Sequence, residues 1–210
     1  MIKLVAFDCD GVLFDSRQAN IAFYNAILAH FAQPPLSPAD VDYVHSHTAP
    51  QSLTHIFRDY PDLEAVFRFY RTIDYQPFIP MMIEEPHLRD FLRFLRPDCF
   101  TALATNRTTT TGAVLAYHHL ADGFDLVVSA QDVSRPKPNP EAFLRILGHF
   151  GLQPQEAVYI GDTWVDEEFA ANARVPFVAY KNPQLQAAYY LDSFAQGPQL
   201  LLDLARTRRT

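Results

Sequence analysis

The chain has 210 residues, 24 of them acidic against 17 Lys and Arg, for a formal net charge of −7. An acidic surplus argues against a general nucleic-acid binder and against an electrostatic membrane docker, since both need a basic face. At 49% hydrophobic and 20% charged residues the composition is that of an ordered globular protein, and a chain this long buries roughly 70% of its unfolded surface without a disulfide or metal staple.

Cys9 and Cys99 are the only cysteines and make no disulfide framework. Met1 to Phe7 is apolar but contains Lys3 and is too short for a signal core with its flanks. No apolar run approaches the ~20 residues of a membrane span. The expectation is a soluble, reduced, cytoplasmic protein, with neither nucleic acid nor membrane as partner.

In chain order, Ile2 to Phe7 reads as a short buried strand that exits at Gly11. Ala19, Ala22, Phe23, Ala26, Ile27 and Phe31 then recur at helical spacing, until Pro34, Pro35 and Pro38 break the pattern. An aromatic-rich helical stretch follows through Phe57, Tyr60, Phe67, Tyr70 and Tyr75, and ends at Pro77 and Pro80. After that the rhythm changes. The sequence predicts a helix over 87–95 stopped by Pro97, a strand over 99–104, and a helix from the Thr108–Thr111 run to His119. It further predicts a strand over 125–129, a helix over 140–150 with Gly151 beyond its end, a strand over 157–160, a helix over 164–173 and a strand over 176–180. Short apolar strands alternating with ten-residue helices imply an α/β fold, a doubly wound parallel sheet covered on both faces. The first helical stretch interrupts that alternation. Residues 1–15 and 82–210 are therefore expected to form the core, and 16–81 an inserted small helical domain.

The chemistry collects where strands end. Asp8 and Asp10 flank Cys9 at the end of the first strand, and positions i and i+2 of an extended chain point the same way. Two converging buried carboxylates repel and lose hydration, which a hard cation such as Mg²⁺ relieves; a solvated turn is the competing reading. The next strand ends in Thr105-Asn106-Arg107, where a hydroxyl and free backbone N–H groups before a helix offer an anion site or an ordinary cap. Lys137 lies between Pro136 and Pro138, either as an ammonium on a stiffened stem or as a solvated loop lysine. Asp162 and Asp166 follow the strand over 157–160, about one helical turn apart, where acids also complement a helix N-terminus. Helix capping alone leaves unexplained why acids, a hydroxyl and a lysine terminate four successive strands.

The segments DCDGVLFDS from Asp8, ATN at Ala104–Asn106, RPKPNP from Arg135 and GDTWVD from Gly161 resemble, in this order and spacing, the four motifs of the haloacid dehalogenase superfamily. The helical insertion directly after the first motif resembles the α-helical cap of its phosphoglycolate phosphatase and β-phosphoglucomutase branch. The resemblance implies an Mg²⁺-dependent phosphatase acting on a small phosphorylated metabolite through an aspartyl-phosphate. It makes Asp8 the nucleophile and Asp10 the general acid/base. Thr105, Asn106 and Lys137 would hold the phosphoryl group. Asp8 and Asp162 would bind Mg²⁺, with Asp10 adding its backbone carbonyl and Asp166 supporting from nearby. An acid at position 10 favours phosphoryl transfer over dehalogenation, because a leaving alkoxide needs a proton and the intermediate needs an activated water. Cys9 and Trp164 depart from the commonest residues at their positions and are expected to carry no chemistry.

Substrate choice is expected from the cap: Arg17 and Asn20 after the first motif, and His47, Thr48 and Gln51 in a polar turn. A His45-x-His47 metal pair lacks an evident third ligand. A phosphosugar mutase sharing every core residue, and a non-catalytic phospho-ligand binder, stay open at this point, as does the choice between monomer and homodimer. A receiver module would be shorter, uncapped, and would carry its phosphoacceptor after a middle strand.

Overall fold

A computed structural model describes residues 1–96 and 98–207, with side chains up to Leu204. Pro97, read as a helix stop, lies outside the described residues. In chain order, β1 (Leu4–Phe7) is followed by a short β2 (Phe14–Asp15), then α1 (Arg17–His30), α2 (Pro38–Ser46), α3 (Ala49–Ile56) and α4 (Leu63–Tyr70). A 3-10 turn at Gln76–Met81 leads to β3 (Ile83–Glu84) and α5 (Leu88–Leu95). The chain continues through β4 (Phe100–Thr105), α6 (Thr111–Tyr117), β5 (Leu126–Ser129), α7 (Glu141–Phe150), β6 (Ala157–Gly161), α8 (Trp164–Ala173), β7 (Phe177–Tyr180), β8 (Tyr189–Leu191) and α9 (Gly197–Thr207).

Six strands form one parallel sheet in the order β5-β4-β1-β6-β7-β8. The strands lack a polar face because both faces are covered. Val5 and Phe7 of β1 join an apolar layer with Phe91 of α5, Val114 of α6 and Leu204 of α9. Leu4 and Ala6 join the opposite layer with Phe143 of α7 and Phe169 of α8. This period-two split between two layers is what a doubly covered strand requires.

The topology positions the site. From β1 the order runs to β4 and β5 on one side and to β6, β7 and β8 on the other, so β1 marks the switch point where open α/β sheets bind ligands. Phe7 is in register with Leu103 of β4 and Ile160 of β6. The three strands therefore end within two residues of one another in register, which brings Asp8, Thr105 and Asp162 to the same end of the sheet.

The helices α1 to α4 fall between β1 and the rest of the sheet. They bury Phe23, Ile27, Leu53, Phe57 and Val66 in an apolar cluster continuous with one sheet face. Helices of eight or nine residues are marginal alone, and capping boxes support two of them. Ser37 and Asp40 close one at α2, so Pro38 is its first residue and starts a helix as well as ending the earlier pattern. The chain leaves and re-enters the sheet layer through an antiparallel pair, Phe14 opposite Glu84 and Asp15 opposite Ile83. Beside that crossing, buried Glu85 accepts hydrogen bonds from Tyr180 Oη at 2.9 Å and Lys181 Nζ at 2.6 Å.

Candidate active site

Asp8 is the first residue beyond β1, and its N–H donates to Ile160 O at 2.9 Å. Its carboxylate lies 2.8 Å from Lys137 Nζ. That ammonium also sits 2.7 Å from Asp166 Oδ1 and 2.9 Å from Tyr159 Oη. Lys137 is 4% exposed and Asp166 0%, so the solvated-loop reading of this lysine is excluded. Asn106 fixes the lysine's backbone: Lys137 N donates to Asn106 Oδ1 at 3.0 Å, and Asn106 Nδ2 donates to Lys137 O at 3.2 Å. The side chain of Asn106 thus places Lys137, its Nδ2 also reaches Ser46 O, and the residue lines the cavity.

Asp10 takes a different partner. A tight turn follows Asp8, with Gly11 at φ +78°, a conformation that glycine adopts without strain. A side chain at Gly11 would also overlap the Asp162 carboxylate. Both Asp10 oxygens accept from Arg107, at 2.7 Å from Nε and 2.8 Å from Nη2. Arg107 also donates to Tyr75 Oη at 3.0 Å and Thr110 Oγ1 at 3.0 Å. Thr105, buried at the end of β4, accepts from Arg107 N through Oγ1.

The electrostatics follow from burial and pairing. Burial pushes Asp8 up to about 8; Lys137 opposes this, and Asp166 and Asp162 add to it. Burial also acts to raise Asp10, but the Arg107 guanidinium overrides it and holds the carboxyl below its ordinary value. Burial lifts Asp162 as well. Lys137 is raised despite burial, because Asp166 and Asp8 face it.

Asp8, Asp162 and Asp166 bring ligand atoms within 4.8 Å of one another. Asp162 Oδ1 is buried with no hydrogen-bond partner, an orphaned acceptor of the kind a hard cation satisfies. Mg²⁺ therefore fits the residues present, with Asp8 and Asp162 as side-chain ligands. Asp166 is otherwise engaged: Oδ1 faces Lys137 and Tyr159, and Oδ2 accepts from Thr163 N and Thr163 Oγ1. These bonds hold the lysine and cap α8, beside the oxygens of Asp8 and Asp162 where Asp166 is expected to support a cation from nearby.

A cavity of about 260 Å³ opens beside Asp8 and Asp10. Asp8, Asp10 and Thr105–Thr110 line it from the sheet side, and Asn20, Phe23, Tyr24, His45, His47 and Tyr70 line it from the helical side. Two of the five specificity candidates, Asn20 and His47, do face it. The other three do not. Arg17 is half exposed and pairs with Asp42 at 2.8 Å. Thr48 and Gln51 are consumed by the capping box of α3, Thr48 Oγ1 donating to Gln51 Oε1 at 2.8 Å. The polar turn is polar because it starts a short helix.

Sequence reasoning passed over Arg107, Tyr159 and Tyr75. Tyr159 was readable as the one hydroxyl in an otherwise apolar strand. Arg107 was readable as a guanidinium at a strand end beside a candidate acid. Tyr75 carried no signal beyond its place in an aromatic run.

A model of the haloacid dehalogenase-like hydrolase family matches residues 5–180. A phosphoglycolate phosphatase from Chromobacterium violaceum is 30% identical over 187 residues, 85% of this chain and 84% of that protein. A solved haloacid dehalogenase superfamily hydrolase of subfamily IA from Geobacter sulfurreducens is 40% identical, with a TM-score of 0.78 over 95% of this chain and 96% of its own. A β-phosphoglucomutase structure from Clostridium difficile shares the fold at a TM-score of 0.85 and 19% identity, covering 100% of both chains.

Proposed function

The chain belongs to the haloacid dehalogenase-like hydrolase family, and from that footing we propose that it is an Mg²⁺-dependent phosphatase acting on a small phosphorylated metabolite, phosphoglycolate-like or a sugar phosphate. The observation that carries this reading is Asp8 at the switch point, lining the cavity with Lys137 against its carboxylate and the unpartnered, buried Asp162 carboxylate within 4.8 Å of it. The size of the cavity suits a small metabolite, since it lies just below the usual range of pockets for drug-sized ligands.

The residues divide the work as follows. Asp8 attacks phosphorus, forming an aspartyl-phosphate as the bond to the leaving oxygen breaks. Lys137 and Thr105 take phosphoryl oxygens, with Lys137 aimed by Asp166, Tyr159 and Asn106. Asp10 gives its proton to the leaving oxygen and then takes one from the water that attacks the intermediate, which returns Asp8 and releases phosphate. Arg107 keeps Asp10 ionised and so readies it for the second step; for the first, Asp10 must leave Arg107 and carry a proton. Mg²⁺, held by Asp8, Asp162 and the Asp10 backbone carbonyl, would supply charge neutralisation between nucleophile and phosphoryl group.

In this reading residues 16–81 are a cap over a core of 1–15 and 82–210, and Asn20 and His47 meet the leaving group. No helix among the described residues is long and apolar enough to cross a membrane, and unpaired Cys9 and Cys99 fit a reducing cytoplasm. The test is phosphate release across a panel of phosphorylated metabolites with Mg²⁺. Release from one compound supports hydrolysis, and isomerisation of a sugar phosphate without release would favour a mutase.

A further inference from the structure

A line of polar contacts crosses the cleft through the cap. It starts at the Asp10–Arg107 pair and ends at Asp162. Arg107 Nη2 donates to Tyr75 Oη at 3.0 Å, and Tyr75 Oη donates to Asn20 Oδ1 at 3.4 Å. The other end of that amide, Asn20 Nδ2, lies 3.4 Å from His45 Nδ1. His45 Nε2 lies 3.6 Å from Asp162 Oδ2. With Asn20 Nδ2 donating to Nδ1, a neutral His45 carries its proton on Nε2, on the Asp162 side, and a protonated ring carries one there in any case. The end of α2 that carries His45 is tied down separately, by Asn106 Nδ2 donating to Ser46 O at 3.3 Å.

The two oxygens of Asp162 are therefore unlike. Oδ2 faces a cap histidine, whereas Oδ1 is buried without a partner. The His45 contact is at ion-pair distance, longer than a hydrogen bond; a polar or charged neighbour at one carboxylate oxygen turns the other toward a ligand, and neighbours of this kind set ligand orientation at metal sites. We propose that His45 is a positioning residue for the cation: from the cap it holds Asp162 so that Oδ1 meets the metal, which makes cation binding and cap docking reinforce each other. The inference rests on Asp8 and Asp162 being the cation's ligands. By linkage, whatever the docked cap adds to cation affinity the cation returns to cap docking.

The experiment is calorimetric titration of the full chain with Mg²⁺ alone, beside hydrogen exchange of the amides at 41–48. His45→Ala is expected to weaken Mg²⁺ binding about tenfold, the low end of what such partners contribute. His45→Gln, whose amide can also approach Asp162, should recover most of the loss, and this separates a polar contact with that carboxylate from general damage. Mg²⁺ should slow exchange at 41–48 in the wild type and leave His45→Ala unchanged there. Unaltered or tighter binding in His45→Ala overturns the proposal, and so does equal weakening in His45→Gln. Asp162→Asn guards the premise: if it binds Mg²⁺ like the wild type, the ligand assignment itself fails, a result distinct from any change at His45.

Discussion

Arg107 grips Asp10 through two parallel hydrogen bonds, 2.7 Å from Nε to Oδ2 and 2.8 Å from Nη2 to Oδ1, with both side chains nearly shut off from water. A buried fork of this kind fixes the plane of the carboxylate as well as its charge. Arg107→Met should therefore strand a buried carboxylate and cost about 3–5 kcal/mol of stability, read as a fall in Tm with loss of turnover. Arg107→Lys retains the charge and loses the fork, so it should recover stability more than activity. Equal recovery of both would reduce Arg107 to a counter-charge.

Lys137 faces Asp8 and Asp166 together. Lys137→Met should lower kcat by about 10²–10³-fold, the scale for removing one pre-organised electrostatic contact. Asp166→Asn keeps the cap of α8 in part and loosens only the aim of Lys137, so its loss should be smaller. Steady-state kinetics on the two variants checks the order, and a larger loss for Asp166→Asn would make Asp166 a direct ligand after all.

The elevated Asp8 ties stability to pH and to the cation. The unfolded chain releases this proton near pH 4, while the folded chain holds it to about 8. Between those values the folded state binds more protons, so stability falls as pH rises. Mg²⁺ needs the deprotonated carboxylate, so its stabilisation should grow over the same window. Thermal melts from pH 5 to 8.5, with and without Mg²⁺, are expected to diverge as pH rises; curves separated by a constant gap would place the cation elsewhere.

Thr48 is a cap residue for α3 and lies outside the cavity lining. Thr48→Ala should cost about 1 kcal/mol of stability and leave the ranking of substrates in the metabolite panel untouched. A changed ranking at unchanged Tm would restore its specificity role.

The core of this protein was legible because strand ends carry their own signature. An apolar run that stops at Asp8, at Thr105 or at Asp162 gives both the strand and the candidate residue at its end, and α8 begins at Trp164 as its sequence implied. The crossing strands were illegible: Phe14–Asp15 and Ile83–Glu84 are two residues each, too short for any period to register. β8 and α9 follow a polar loop that masks the return to the sheet edge. Among α1 to α4, polar residues at a turn can cap a helix or face a ligand, and only the geometry separates Thr48 from Asn20. The Arg107–Asp10 pair spans 97 residues of chain, a distance over which local pattern carries no information.

The central claim is that Asp8 is the nucleophile. Rapid acid quench of the wild type with Mg²⁺ and a hydrolysed substrate, followed by peptide mass spectrometry, tests it most directly. The peptide containing Asp8 should carry a phosphoryl group, and Asp8→Asn should show neither that adduct nor turnover while remaining folded. Turnover retained in Asp8→Asn, or a phosphoryl group on any other side chain, would contradict the account.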